Sequence, residues 1–394
     1  MRRPHIPGFT LINAKIGAEI ACLQICEGRI QDVSAHPPAS ARIVDLQGDR
    51  VLPGLINSHD HLALNTLPPH AGRRQYQHAQ EWVVEVDTRR HSDADFEATV
   101  SVPRDQRLLI GGIKNLLSGV TTVAHHDPLY PSMASREFPV GVVRNYRWSH
   151  SLYVDGEDKV VASYRATPRD WPWIIHAAEG LNSAASEEFD QLEALGCLGH
   201  NTLLVHGIAL NESQRNKLER AGAGLIWCPS SNLNLFGKTA EVAALSDAGK
   251  VGLGTDSRLS GARDLLEELR VARDIAGLSF AALESMVTTD AARLLRIADR
   301  GDIRAGMRAD LTVLPAERAL GSVTRSDLRL VMVGGEAVYA DNDLAAALTP
   351  ASGWSHVLVD AVPKILDRGI ALRLSQATAR EPGLEIAELS WRAA

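Results

Sequence analysis

Four apolar runs in this 394-residue chain end in side chains that can bind a metal ion or move a proton. His59 and His61 close VLPGLINSHDH, His176 closes WPWIIH, His206 closes LLVH and Asp256 closes VGLGTD. Residues two apart on an extended strand point the same way, so the His-x-His pair aims both imidazoles at one place. If the runs are parallel strands of a barrel, their C-terminal ends meet on one face and gather these groups in one pocket. Neutral imidazole suits zinc and its first-row neighbours, and a carboxylate adds one negative charge. Three imidazoles and one carboxylate would leave a divalent site with a net charge of about +1. A water held there is acidified to a pKa of about 7 and becomes a nucleophile at neutral pH. Four protein donors and a water make five-coordination, which keeps zinc, iron(II) and manganese(II) all open.

Each residue has a plainer reading when taken alone. A single His-x-His is as often a surface or core pair. His176 or His206 on an apolar run reads as a satisfied core histidine, and Asp256 after Gly-Thr reads as a helix cap. The coincidence of all of them at the ends of successive runs is what points to a metal site.

The elements that must position them alternate along residues 51–299. Strand-like runs are VLPGLINSH, GVTTVAHH, VGVVRNYRWSH, WPWIIHAAE, NTLLVHG, GAGLIWCPS and KVGLGTDS. Between them RDQRLLIGGIKNLLSG, SEEFDQLEALG, ESQRNKLERAG and ARDLLEELRVARDIAG carry apolar residues three or four apart, the helical spacing. Gly119, Gly196 and Gly222 fall where helix C-caps belong. Alternation of this kind predicts parallel βα units and an α/β, TIM-type (β/α)8 barrel. Seven runs are visible where eight are needed, and the gap lies between His150 and Trp171, where DGEDKVVASYRATP reads more helical than extended. Either VVASY is a poor strand or the fourth unit is abbreviated.

Both ends have a different texture. Residues 1–50 alternate Val, Ile and Leu with polar residues, and residues 300–345 repeat the pattern in IRAGMRADLTVLP and LRLVMVGGEAVYAD. These two stretches are expected to pair into a composite β-sandwich domain, because chain ends often lie close together. Residues 346–394 form a C-terminal extension holding a further strand or turn and a helix. The long segment 62–103, between the first barrel strand and its helix, is expected to be a lid or pocket wall.

The formal charge of −7 gives no basic surface for nucleic acid or anionic lipid. No apolar stretch reaches the roughly 18 residues of a membrane span. The start, MRRPHIPGFTLINAKIG, reads as a strand rather than an export signal. Cys22, Cys26, Cys197 and Cys228 show no CxxC pairing and are expected to be buried free thiols in a cytosolic protein.

With these motifs in place, the chain resembles the amidohydrolase superfamily, in the mononuclear branch of guanine and cytosine deaminases and triazine hydrolases. The resemblance rests on VLPGLINSHDH, GVTTVAHHD, IIHAAEG, LLVHG, CPSSN, GLGTDS and IRAGMRADLTVL, and spans roughly residues 10–340. It implies that His59, His61, His176 and Asp256 bind one divalent ion, zinc first. It implies that Glu179, in the His176-x-x-Glu179 spacing, shuttles protons and that His206 contacts the water or developing oxyanion. Binuclear relatives carry a carboxylated lysine at the fourth strand, whereas Lys159 falls in a helical-looking segment, so one metal is expected. The implied partners are a small-molecule substrate and a second copy of the chain.

The implied chemistry is hydrolysis of a non-peptide C–N bond, with Asp256 or Glu179 as base, Asp256 also a ligand, and Glu179 as acid. Hydrolytic deamination of a cyclic amidine or nitrogen heterocycle is the first reading. Hydrolysis of a small amide or urea-like bond is the second, and a metal-binding sensor without catalysis is a remote third. Substrate contacts are expected among His125, His126, Asp127, Trp148, His150, Arg258 and Asn232. Trp82, Trp148 and Trp227 are either pocket or core. For His125 and His126 support of the metal ligands is an equal alternative, and for Arg258 a rim salt bridge is the plainer one.

Overall fold

The computed structural model describes residues 8–38, 42–70, 75–348 and 351–386. Alternating sequence at both chain ends builds one eleven-stranded sheet. Its N-terminal strands are β1 (Phe9–Ile16), β2 (Glu19–Cys26), β3 (Arg29–Ser34), β4 (Arg42–Asp45) and β5 (Arg50–Pro53). The barrel follows as β6 (Leu55–Asp60), β7 (Val120–His125), β8 (Gly141–Val142), β9 (Arg147–Trp148), β10 (Trp173–Ala177), β11 (Thr202–His206), β12 (Gly224–Trp227) and β13 (Val251–Leu253). The chain then returns to the first sheet with β14 (Leu311–Leu314), β15 (Leu330–Val333), β16 (Glu336–Ala340), β17 (Trp354–Val359), β18 (Val362–Asp367) and β19 (Leu384–Ile386).

Strand β5 pairs antiparallel with β14, Val51 opposite Val313, and this pair joins the two chain ends. Leu11, Leu23, Val44, Val51, Leu311 and Leu330 pack beneath it. Of IRAGMRADLTVLP only the last part is a strand. The segment expected as a C-terminal extension adds β17, β18 and β19 to the same sheet, and residues 387–394 lie outside the described residues, as do residues 1–7.

Every position of β6, β7, β10, β11, β12 and β13 is buried, as parallel strands covered on both faces require. The four anticipated helices form at Arg104–Leu117, Ser183–Ala194, Glu212–Arg220 and Leu265–Ala276. Gly119, Gly196 and Gly222 take the positive φ expected just past a helix end. All eight barrel strands are present. The run VGVVRNYRWSH, read above as one strand, is two short ones, β8 and β9. VVASY lies in the helix Glu157–Arg165, and the abbreviated connection is 143–146, between the third and fourth strands. A two-residue strand is too short for a periodic signal, which is why the count fell one short. The seam between β13 and β6 is closed by the amides of Thr255 and Asp256, which donate to the His59 carbonyl at 3.0 and 3.1 Å. No helix among the described residues is long and apolar enough to cross a membrane.

Candidate metal centre and catalytic pocket

Alternation along β6 divides its polar residues between two sides. His59 and His61 turn inward, with ring centroids 5.0 Å apart. Asp60, between them, turns the other way and meets the buried Lys114 ammonium at 3.2 Å. His176 enters from the end of β10. Its Nε2 lies 3.3 Å from His59 Nε2 and 3.4 Å from His61 Nε2. Asp256, past the end of β13, brings Oδ1 to 3.8 Å from both His59 Nε2 and His61 Nε2.

Such spacings fit a cation. Ligands about 2.0–2.2 Å from one tetrahedral ion stand about 3.3–3.6 Å apart. Three outer hydrogen bonds fix the tautomers that this requires. His176 Nδ1–H donates to the His150 carbonyl at 2.7 Å. His61 Nδ1–H donates to Asp127 Oδ2 at 2.9 Å. His126 Nε2–H donates to the Ser149 carbonyl at 2.9 Å, so its Nδ1 is left to accept from His59 Nδ1–H at 3.3 Å. In neutral rings all three Nε2 lone pairs then face one another. A ligand nitrogen oriented through its other ring nitrogen is the usual arrangement in metal sites.

His59, His61, His126 and His176 form a buried four-histidine group able to hold a metal ion. Within it His126 differs, because both its nitrogens already have partners. It stacks on His176 at 4.3 Å and meets Trp148 edge-on at 5.3 Å. His125 is buried, and its Nδ1 accepts from the Leu62 amide.

A cavity of about 310 Å³ opens over this centre, and His61, Asp127, His150, His176, Glu179, His206 and Asp256 line it. The segment 62–103 supplies a wall, as expected: His78, Trp82, Val86, Asp87 and Arg90 face the same space. Residues 71–74 of that segment lie outside the described residues. Trp227 is fully buried, and Asn232 accepts from His206 Nδ1–H at 2.8 Å. Arg258 does not face the cavity; its guanidinium makes a bidentate pair with Glu381 at 2.8 and 2.6 Å.

Electrostatics separates the carboxylates. Asp256 Oδ2 accepts from Ser231 Oγ and Ser260 Oγ, both at 2.8 Å, and Oδ1 accepts from the Ser257 amide at 2.8 Å. Burial opposes its charge, but His61, His206 and these hydroxyls hold its pKa below the usual carboxylate range. Glu179 is pushed up to about 7, chiefly by burial, with the Asp256 and Glu188 charges adding. Its Oε1 lies 3.6 Å from His206 Nε2. A carboxylate held ionised thus shares the cavity with a carboxyl that titrates near neutrality, a pairing that general acid–base chemistry can use. Ala178, His206 and Asp256 all have positive φ, at 53°, 75° and 52°, so three barrel strands end in strained backbone at this site.

Sequence reading did not single out Lys114, Asn57, Asn65 or Thr255. Lys114 Nζ touches Asn65 Oδ1, Thr255 Oγ1 and the Asp256 carbonyl at 2.8, 3.0 and 3.3 Å. A lysine inside the helical run LLIGGIKNLL was the available signal, since a charge on an apolar face needs a buried partner.

A family model described as "Amidohydrolase family" matches residues 153–338. The 5-methylthioadenosine/S-adenosylhomocysteine deaminase of Halobacterium salinarum is 25% identical over 375 residues, covering 78% of this chain and 85% of that one. The 8-oxoguanine deaminase of Pseudomonas aeruginosa is 31% identical over 153 residues, 36% of this chain and 34% of that one. Among solved structures, the zinc complex of atrazine chlorohydrolase from Arthrobacter aurescens TC1 superposes with a TM-score of 0.70 at 19% identity, covering 85% and 96% of the two chains. These matches are to the amidohydrolase superfamily. The chain is a metal-dependent hydrolase of carbon–nitrogen bonds other than peptide bonds.

Proposed function

We propose that the chain deaminates an aminated nitrogen heterocycle, adding water at the ring carbon that carries the amino group and releasing ammonia. One observation carries the proposal: three imidazole Nε2 atoms and Asp256 Oδ1 converge beneath a cavity that Glu179 and His206 also face. His59, His61, His176 and Asp256 would hold one divalent cation, zinc in the first place and iron(II) or manganese(II) otherwise. Bound there, such an ion acidifies water and polarises the atom under attack.

The remaining work belongs to side chains. The Asp256 carboxylate, held ionised, takes a proton from the attacking water. Glu179, protonated near neutrality, passes its proton to the departing nitrogen. His206, its Nδ1–H committed to Asn232, presents the Nε2 lone pair to the protonated Glu179 carboxyl and so keeps it aimed into the cavity. Asp127 and His150 orient His61 and His176 from behind. Trp82, Val83 and Val86 give the cavity an apolar side against which a ring can pack.

The names of the deaminase relatives suggest the first substrates to try: 5-methylthioadenosine, S-adenosylhomocysteine and 8-oxoguanine. A coupled ammonia-release screen on these and other aminated heterocycles, run with metal analysis, is the test. Metal-dependent ammonia release supports the proposal. Turnover confined to amides or ureas, with amine as product, rejects it. The free thiols suit the same reading in the cytosol.

A further inference from the structure

Arg258 sits two residues after Asp256, yet its charge is answered from the far end of the chain. Glu381, wholly buried, makes the bidentate pair described above and also accepts from Arg325 Nη1 at 2.6 Å. The neighbouring Pro382 carbonyl accepts from Arg325 Nη2 at 2.9 Å, and Asp360, in the β17–β18 turn, takes Arg325 Nη2 at 2.8 Å and Arg263 Nη2 at 2.5 Å. Residues 381–383 and this turn lie beyond the stretch matched by the family model.

From Glu381 the contacts run inward without a break. Arg258 Nε donates to the Arg263 carbonyl at 2.7 Å, closing the loop 258–263. Inside that loop the Gly261 amide donates to the Ser257 carbonyl at 2.7 Å. Ser260 Oγ, on the same loop, donates to Asp256 Oδ2 at 2.8 Å. At the other side the Arg258 amide donates to Asn65 Oδ1, which also accepts from Lys114. The orientation of the Asp256 carboxylate is thus set by a loop whose outer anchor is a carboxylate 123 residues downstream of Arg258.

We propose that Glu381 is a positioning residue of the active site, acting through Arg258 on the loop that aims Asp256. This rests on the reading of Asp256 as a metal-binding group. Without the Glu381 charge, Arg258 is left buried without its main counter-charge, a costly state that the guanidinium relieves by moving. The Arg263 carbonyl and the loop move with it, and Ser260 no longer fixes Oδ2.

The test measures zinc affinity by competition with a chromophoric chelator for the parent chain, Glu381→Gln, Arg258→Lys, their double variant and Asp256→Asn, with thermal melts of each zinc-free protein. Glu381→Gln is expected to weaken zinc binding about 10- to 100-fold, the usual size of an outer-support effect. The double variant is expected to be no weaker than the poorer single variant, because both changes break the same path. A lowered melting temperature with a zinc dissociation constant within about twofold of the parent would overturn the proposal and leave Glu381 a purely structural anchor. Should Glu381→Gln fail to fold, Glu381→Asp keeps the charge but shortens the reach, and unchanged zinc affinity there overturns the proposal equally. If Asp256→Asn binds zinc as the parent does, the underlying reading of Asp256 fails instead.

Discussion

The Nδ1 atoms of His59 and His126 lie 3.3 Å apart, and the far nitrogen of His126 is fixed by the Ser149 carbonyl. His126 can therefore only accept from His59, and His59 can only present a lone pair at Nε2. Replacing His126 with Phe keeps a ring against His176 and removes the acceptor. Zinc affinity, measured by chelator competition, is expected to fall about 10- to 100-fold. An unchanged affinity would show that the tautomer of His59 is set by something else.

Glu179→Gln removes a transferable proton while keeping the shape of the side chain. Metal content should stay at the parent level while turnover drops at least about 10²-fold. Glu179 acts in its protonated form, and burial places its pKa at about 7. Activity of the parent should accordingly decline as pH rises through about 7, and that alkaline limb should vanish in the variant. Near-normal turnover in the variant would remove Glu179 from the mechanism.

Gly254, the residue after β13, packs directly against His59. A Cβ there would stand 2.7 Å from His59 Cβ and 2.9 Å from the His59 amide nitrogen. Gly254→Ala must push β6 and β13 apart, shifting His59 and the Asp256 amide together. We expect a weakened zinc site and a loss of about 1–3 kcal/mol in stability, the usual cost of overpacking. Chemical denaturation of the zinc-free chain reads the second effect, and a parent-like result in both measurements contradicts the close-approach argument.

Glu268 is buried, its Oε1 accepts the Ser230 amide at 2.8 Å, and its Oε2 has no hydrogen-bond partner among the described residues. Burial pushes its pKa up to about 8. Between the unfolded value near 4.5 and about 8, the folded chain binds the extra proton, so this group lowers stability as pH rises across that window. Glu268→Gln should remove that contribution and gain at least about 1 kcal/mol at pH 8 relative to pH 5, given about 1.4 kcal/mol per pKa unit. Thermal melts at the two pH values check this, and equal pH dependence in parent and variant would contradict it.

The residues that meet at the centre were legible because each ends an apolar run and the barrel gathers strand ends on one face. His59, His61, His176 and Asp256 announce themselves by position. His126 was harder to place, since a His-His-Asp string does not reveal which ring turns toward the ligands. For Arg258 the plainer reading, a salt bridge, is what forms, but its partner Glu381 lies 123 positions away and no local pattern names it. The strands β8 and β9 escaped as separate elements because two residues give no alternation to read. Lys114 shows the opposite case, a charge whose meaning appears only when Asp60, Thr255 and the Asp256 carbonyl surround it.

A crystal structure of the zinc-loaded chain, with anomalous scattering collected at the zinc edge, bears on all of this at once. We predict one ion bonded at about 2.0–2.2 Å to Nε2 of His59, His61 and His176 and to Oδ1 of Asp256, with His126 still donating to Ser149. A zinc ion ligated by His126, or one standing well away from Asp256, would contradict the account.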